Sequence, residues 1–142
     1  MSTPFRLFLP RQLLAEMVAH AQAELPNECC GLLAGTIGAD GIARIECRYP
    51  LENALGSPTE YESEPRSHFV AVRDMRRRAI EMLAVYHSHP TSAPVPSRKD
   101  IERNLMGEGV MHFIVGLQGE TPDIRAWWLT GDGSREAEWE AG

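Results

Sequence analysis

Phe5, Leu7 and Leu9 alternate with Arg6 and Phe8 along the first ordered-looking stretch, which predicts a strand. From Pro10 onward the period lengthens. Leu13, Leu14, Met17, Val18, Ala21 and Leu25 recur at helical spacing, so a helix is expected over residues 10–25, with Pro10 suited to its first position and Pro26 ending it. Two β-like runs follow near 29–37 and 42–49, joined through Asp40-Gly41, a hairpin signal. Residues 50–64 carry Pro50, Gly56 and Pro58 with little periodicity; a loop this long exceeds the usual connection and points to a functional role. Phe69, Val72, Met75, Ala79, Met82 and Leu83 share one face of a helix predicted over 65–83, and the short apolar run 84–89 reads as a strand that ends on histidines. A short helix is expected from about Ser97 to Gly107, then strands over 110–118 and 123–131. The tail 132–142 is polar, either a last short strand or frayed.

The resulting order, β-α-β-β-α-β-α-β-β, mixes hairpins with crossovers and predicts an α+β domain built on a mixed sheet. Its 142 residues fit a single domain over 1–142, and 43% hydrophobic content supplies one core. A net charge of −6 has the wrong sign for a protein that neutralises phosphates, so nucleic acid is excluded as a partner. The basic run Arg76-Arg77-Arg78, framed by Asp74 and Glu81, reads as a solvated helix face. No export signal is visible at the N-terminus, and no run approaches the eighteen apolar residues that span a bilayer, so no membrane partner is expected. Three cysteines, an odd number, then suggest free thiols at Cys29, Cys30 and Cys47 and a cytoplasmic location.

The candidate chemistry lies in His87-Ser88-His89-Pro90, followed by Ser97 and Asp100. Residues two apart on a strand face the same way, so one strand can aim both imidazoles at a single point. Imidazole and carboxylate suit zinc, whose catalytic sites take three protein ligands and leave a fourth position open. Asp100, on the first turn of the next helix, is the natural third ligand. Each half also has an ordinary reading, since Ser97-x-x-Asp100 before Ile101 is what a helix capping box looks like. Jointly, the pattern is expected by chance in roughly 3 of 10,000 chains of this composition. Cap and ligand are compatible, because Ser97 can begin the helix while Asp100 faces the metal. Cys29 and Cys30, adjacent on a strand, face opposite ways and fit buried apolar positions better than a shared metal. His112 falls in a strand interior and reads as a satisfied core residue.

The same segment resembles the signature of the JAMM (MPN-plus) metalloproteases, a distant Glu followed by His-Ser/Thr-His-Pro-x6-Ser-x2-Asp, with every position filled. The stretch PNECCGLLAG resembles the family's Pro-x-Glu-x-Cys-Gly-Leu-Leu-x-Gly, and the similarity extends through Asn53, Tyr61 and the Ile-Arg-Ala-Trp strand. It implies a curved mixed sheet flanked by helices, the JAMM/MPN (cytidine deaminase-like) fold. It further implies one zinc ion on His87, His89 and Asp100, Glu28 as general base and Ser97 as a donor to the oxyanion. The implied substrate is a peptide or isopeptide bond after the C-terminal Gly-Gly of a ubiquitin-like or sulfur-carrier protein, with Asn53 and Tyr61 bordering the groove. The compact length looks more like prokaryotic members than like eukaryotic ones with longer insertions. Three other readings stand beside it: a metal-free scaffold of this fold, a small-molecule amidase on the same residues, and a zinc deaminase. The last needs His-x-Glu and Pro-Cys-x-x-Cys, which are missing.

Overall fold

The structure, a computed structural model, describes residues 5–104, 107, 109–131 and 133–142. The elements run β1 (Arg6–Leu9), α1 (Arg11–Ala23), β2 (Cys30–Ile37), β3 (Ile42–Leu51), α2 (Pro65–Arg78), β4 (Glu81–His89), α3 (Arg98–Glu102), β5 (Met111–Gly116), β6 (Asp123–Leu129), β7 (Ser134–Glu136) and β8 (Trp139–Ala141). All eight strands form one sheet in the order β7-β6-β5-β4-β2-β3-β1-β8. β4–β5, β1–β3 and β1–β8 are parallel and the other pairs antiparallel, so the sheet is mixed, as the alternation of hairpins and crossovers predicts. Register shifts at Ala34/Gly35 against β3 and Leu33/Ala34 against β4 are bulges, which bend and twist the central strands.

Each sheet face carries its own apolar cluster and its own helix. Met17 and Ala21 of α1 pack with Leu7, Leu9, Leu33, Tyr86 and Phe113. Ala71 and Met75 of α2 pack with Leu32, Ala34, Leu51 and Val85 on the other side. Cys29 belongs to the first cluster and Cys30 to the second, the opposite facing that their adjacency predicts, and all three cysteines are free thiols. Because side chains alternate along a strand, His87 and His89 share the face of Val85, the α2 side.

Several boundaries differ from the sequence pattern. Glu64 caps α2 by accepting from the amides of Arg66 and Ser67, and the helix stops at Arg78, five residues short of expectation. Ala79 turns the chain at φ 57°, and Met82 and Leu83 already lie in β4, where they pack into opposite clusters, Met82 against the α2 side and Leu83 against the α1 side. Phe69 is not part of a buried face: it is 63% exposed, and Ala71 and Met75 are the buried residues of α2. Pro10 sits one position before α1 as its cap, with its carbonyl accepting from Leu13 and Leu14. The third helix ends at Glu102 with Arg103 as its cap; of the predicted extension to 107, residues 105 and 106 lie outside the described residues. The tail forms two strands. β7 extends β6, and β8 lies beside β1 as the far edge of the sheet. No helix among the described residues is long and apolar enough to cross a membrane.

One close approach holds the strand that bears the histidines. A Cβ at Gly31 would sit 2.2 Å from the ring of Tyr86, its cross-strand partner. That ring cannot swing aside, because its hydroxyl meets His20 Nδ1 at 2.8 Å and accepts from Arg48 at 2.9 Å. Gly31→Ala is therefore expected to cost about 2–4 kcal/mol through overpacking and broken hydrogen bonds. A urea midpoint within error of the parent would refute this.

Candidate metal centre

β4 ends at His89, and the loop after it returns through Pro94 to α3. Ser97 caps α3 with its hydroxyl oxygen accepting from the Asp100 amide at 3.1 Å, while Asp100 Oδ2 accepts from the Ser97 amide at 2.9 Å. The capping box is thus present, and it is what aims Asp100. The same Oδ2 lies 3.2 Å from His87 Nε2 and 3.1 Å from His89 Nε2, and the two Nε2 atoms are 3.2 Å apart. These three side chains form a group able to hold a metal ion. The capping box and the cluster coexist: one carboxylate serves the helix and faces the imidazoles.

The surroundings orient the donors. His89 Nδ1 is 2.8 Å from the Ala93 carbonyl, so an Nδ1–H donated there leaves Nε2 with its lone pair toward the cluster. The His87 ring stacks on Tyr61 with centroids 4.6 Å apart and planes 23° apart. Burial lowers the affinity of His89 for a proton, but hydrogen bonds to Asp100 and Ala93 outweigh it and its pKa is raised. Burial alone would raise Asp100; the charges and hydrogen bonds of His87 and His89 instead hold it far below the usual carboxylate range. Two imidazoles and a carboxylate converging this closely are a donor set that could hold a cation.

Glu28 stands two residues before β2, near the pairing of Cys30 with His87. Ser88, the middle residue of His-Ser-His, points to the opposite face, where its hydroxyl accepts from the Cys29 amide at 2.8 Å and its own amide donates to the Cys29 carbonyl. This clamp ties the residue after Glu28 to the strand of the histidines. The Glu28 side chain is buried, and its Oε1 has no hydrogen-bond partner among the described residues. Burial pushes its pKa up to about 8, with His89 pulling it down and Asp100 and Glu60 pushing it further up. A buried carboxyl with a strongly raised pKa, within electrostatic reach of the cluster, is a candidate for functional chemistry.

The 52–64 loop closes over this side. Asn53 donates from Nδ2 to the carbonyls of Glu28 and Glu60 and accepts at Oδ1 from the amides of Leu55 and Glu62. Its four polar positions are used in shaping the loop and fastening it to Glu28. Glu60 then reaches α3 through Lys99 at 3.3 Å and Arg103 at 3.1 Å. Between loop and helix lies a cleft of about 520 Å³, lined among others by Tyr61, Asp100 and His112. His112 is 3% exposed with Nε2 unpartnered among the described residues, and burial followed by the charge of His87 lowers its pKa to about 4. It is not the satisfied core residue that its strand position suggests. Nothing local in the sequence marks it, because only the pairing of Val85 with His112 brings it beside the centre.

The domain family described as prokaryotic homologues of the JAB domain matches residues 10–130, most of the chain. The chain belongs to this family. The JAMM resemblance of the signature and the expected enzyme class, a JAMM-type hydrolase, hold with it. A protein of Mycobacterium tuberculosis described as CysO-cysteine peptidase is 34% identical over 113 residues, 80% of this chain and 74% of that protein. A desampylase of Haloferax volcanii is 31% identical and covers 94% of this chain and 95% of its own. Among solved structures, protein DSY2949 of Desulfitobacterium hafniense matches with a TM-score of 0.86 at 34% identity, covering 96% of this chain and 92% of that one. The JAB fold neighbours agree with the curved mixed sheet described above.

Proposed function

We propose that the protein is a zinc-dependent peptidase or isopeptidase that cleaves after the C-terminal Gly-Gly of a ubiquitin-like or sulfur-carrier protein. The observation that supports this most is the convergence of His87 Nε2, His89 Nε2 and Asp100 Oδ2 beside the buried, unpartnered Glu28. The donor set of two imidazoles and one carboxylate fits one zinc per chain, with a position left for solvent. When bound, zinc supplies Lewis acidity, lowering the pKa of water and polarising the scissile carbonyl. Glu28 accepts the proton of the attacking water and returns it to the leaving amine; a cation held by the neighbouring donors would offset the cost of its burial and favour the ionised, proton-accepting carboxylate. Ser97 Oγ uses an acceptor position on the Asp100 amide, which leaves its proton to donate to the developing oxyanion. Tyr61 holds the His87 ring in plane, and Asn53 holds the loop that borders the groove. A thin Gly-Gly tail suits a centre roofed this closely by the loop. The free thiols fit a cytoplasmic setting.

The test uses zinc-loaded protein and a panel of sulfur carriers ending in Gly-Gly, each extended by a C-terminal cysteine or peptide, with products read by mass spectrometry. Cleavage after Gly-Gly and one zinc per chain by elemental analysis are expected. Absence of zinc would support the scaffold reading, and turnover of free dipeptides with no carrier cleavage would support the amidase.

A further inference from the structure

Residues 91–95 lie outside the sheet and are exposed, except Pro94, which is buried. Its ring rests on the end of β5: a Cβ at Gly116, the pairing partner of His89, would lie 2.8 Å from Pro94 Cδ. Its carbonyl accepts from Trp127 Nε1 at 2.9 Å. Among the described residues, one other hydrogen bond ties residues 91–96 to the sheet, that of His89 Nδ1 with the Ala93 carbonyl. The His89 bond orients the imidazole only while Ala93 stays in place, and Ala93 is itself exposed. The neighbour that the sheet grips is Pro94.

Trp127 is placed for this grip. It pairs with His112, two positions from the pairing of Arg125 with Ile114, so both β6 side chains stand on the face of β5 that bears Gly116 and on the same side as His87 and His89. The Arg125 guanidinium carbon lies 4.9 Å from the Trp127 ring centroid, and that guanidinium is fixed by hydrogen bonds of 2.9 and 2.8 Å to Glu136 of β7. A cation held in place thus covers the indole and leaves its N–H pointed at the loop. Trp128, the next residue, belongs to the opposite cluster and meets Phe5 edge-on at 5.0 Å. Core packing accounts for Trp128; the one polar atom of Trp127 is used on the loop that carries the third candidate ligand.

We propose that Trp127 is a positioning residue of the metal centre. Its indole N–H and the bare face of Gly116 seat Pro94. The seated loop sets the Ala93 carbonyl that orients His89 and the path that returns Ser97 and Asp100 to the histidines. Trp127 touches neither metal nor substrate and acts through His89. The inference rests on the metal reading above. Partners that orient a metal-bound imidazole are worth about 10–100-fold in metal affinity, and Trp127 stands one step behind such a partner, so the low end of that range is expected.

Three variants of the full chain test this. Trp127→Phe keeps a ring but removes the donor, Gly116→Ala presses on Pro94 from the other side, and Trp128→Phe makes the same chemical change on the opposite face of the sheet. Zinc Kd is measured by chelator competition, metal-free stability by thermal unfolding, and solvent exchange of the His89 Nδ1–H in zinc-loaded protein by nuclear magnetic resonance. Trp127→Phe and Gly116→Ala are each expected to raise the zinc Kd about tenfold and to speed that exchange. Combined, they are expected to cost less than the sum of the two, because both act on Pro94. Trp128→Phe is expected to lower the unfolding temperature and leave the zinc Kd unchanged. A parent-like Kd in both Trp127→Phe and Gly116→Ala overturns the proposal. An equal rise in Trp128→Phe overturns it too, since that marks a general structural loss. Should one of the two loop variants not fold, the other decides by the same readouts. Absence of zinc from the parent removes the metal reading and this proposal with it, whereas zinc held by parent and variants alike removes this proposal alone.

Discussion

Glu28→Gln is expected to lower turnover of a Gly-Gly-linked substrate by about 10²–10⁴-fold, the usual worth of a positioned general base, while zinc binding is retained. The same change should stabilise the metal-free protein at neutral pH. The Glu28 carboxyl is buried with one oxygen unpartnered, and its pKa is raised from 4.5 to about 8 by burial first. A raised folded-state pKa means that the folded protein holds the proton more tightly than the unfolded chain. Its stabilising contribution is full below about pH 4.5 and is lost as pH rises through about 8. Metal-free protein should therefore weaken across that window, and the Gln variant should not. One pKa unit corresponds to about 1.4 kcal/mol, and solvent relaxation removes part of the full difference, so a gain of roughly 1–3 kcal/mol is expected at pH 8. Denaturant unfolding of both metal-free forms from pH 5 to 8 measures it. Near-normal turnover in the variant would remove Glu28 as the base, and parallel pH profiles would remove its burial cost.

The second large effect comes from the metal. Chelation is expected to abolish cleavage and to lower thermal stability, because a cation bound only by the folded state at about 1,000-fold excess over its Kd contributes about 4 kcal/mol. For a chain of this size that is roughly 10 °C in Tm, restored by added zinc. Asp100→Asn separates the two duties of that side chain. An amide oxygen still accepts from the Ser97 amide and keeps the capping box, but the charge that faces both imidazoles is gone. Zinc content is then expected to fall at least about tenfold at micromolar zinc, with α3 intact by circular dichroism. Full zinc occupancy and activity in this variant would exclude Asp100 as a ligand.

Much of the site was legible because its chemistry is local in sequence. His87 and His89 share a face through the two-residue period of a strand, and Ser97 and Asp100 are joined by the first turn of a helix; each relation spans only a few residues. Glu28 was legible only through the family resemblance, since nothing nearby distinguishes it from a solvated acid. Its burial depends on β2 pairing with β4 and on the Ser88 clamp, a contact 59 residues apart. Phe69 shows the opposite failure. Helical spacing grouped it with Val72 and Met75, but the sheet face that receives α2 accommodates Ala71 and Met75 and leaves Phe69 outside.

The sequence by itself determined the mixed strand and helix order, the hairpin through Asp40-Gly41, the free thiols and the His-x-His…Asp pattern of candidate donors, because periodicity and short-range spacing encode them. The tertiary structure decided that one Asp100 oxygen meets both imidazoles, that Glu28 and His112 are buried beside them, and that β8 closes the sheet against β1. Those features arise where residues distant in the chain are brought within a few ångströms, and no local pattern of apolar and polar positions carries that information.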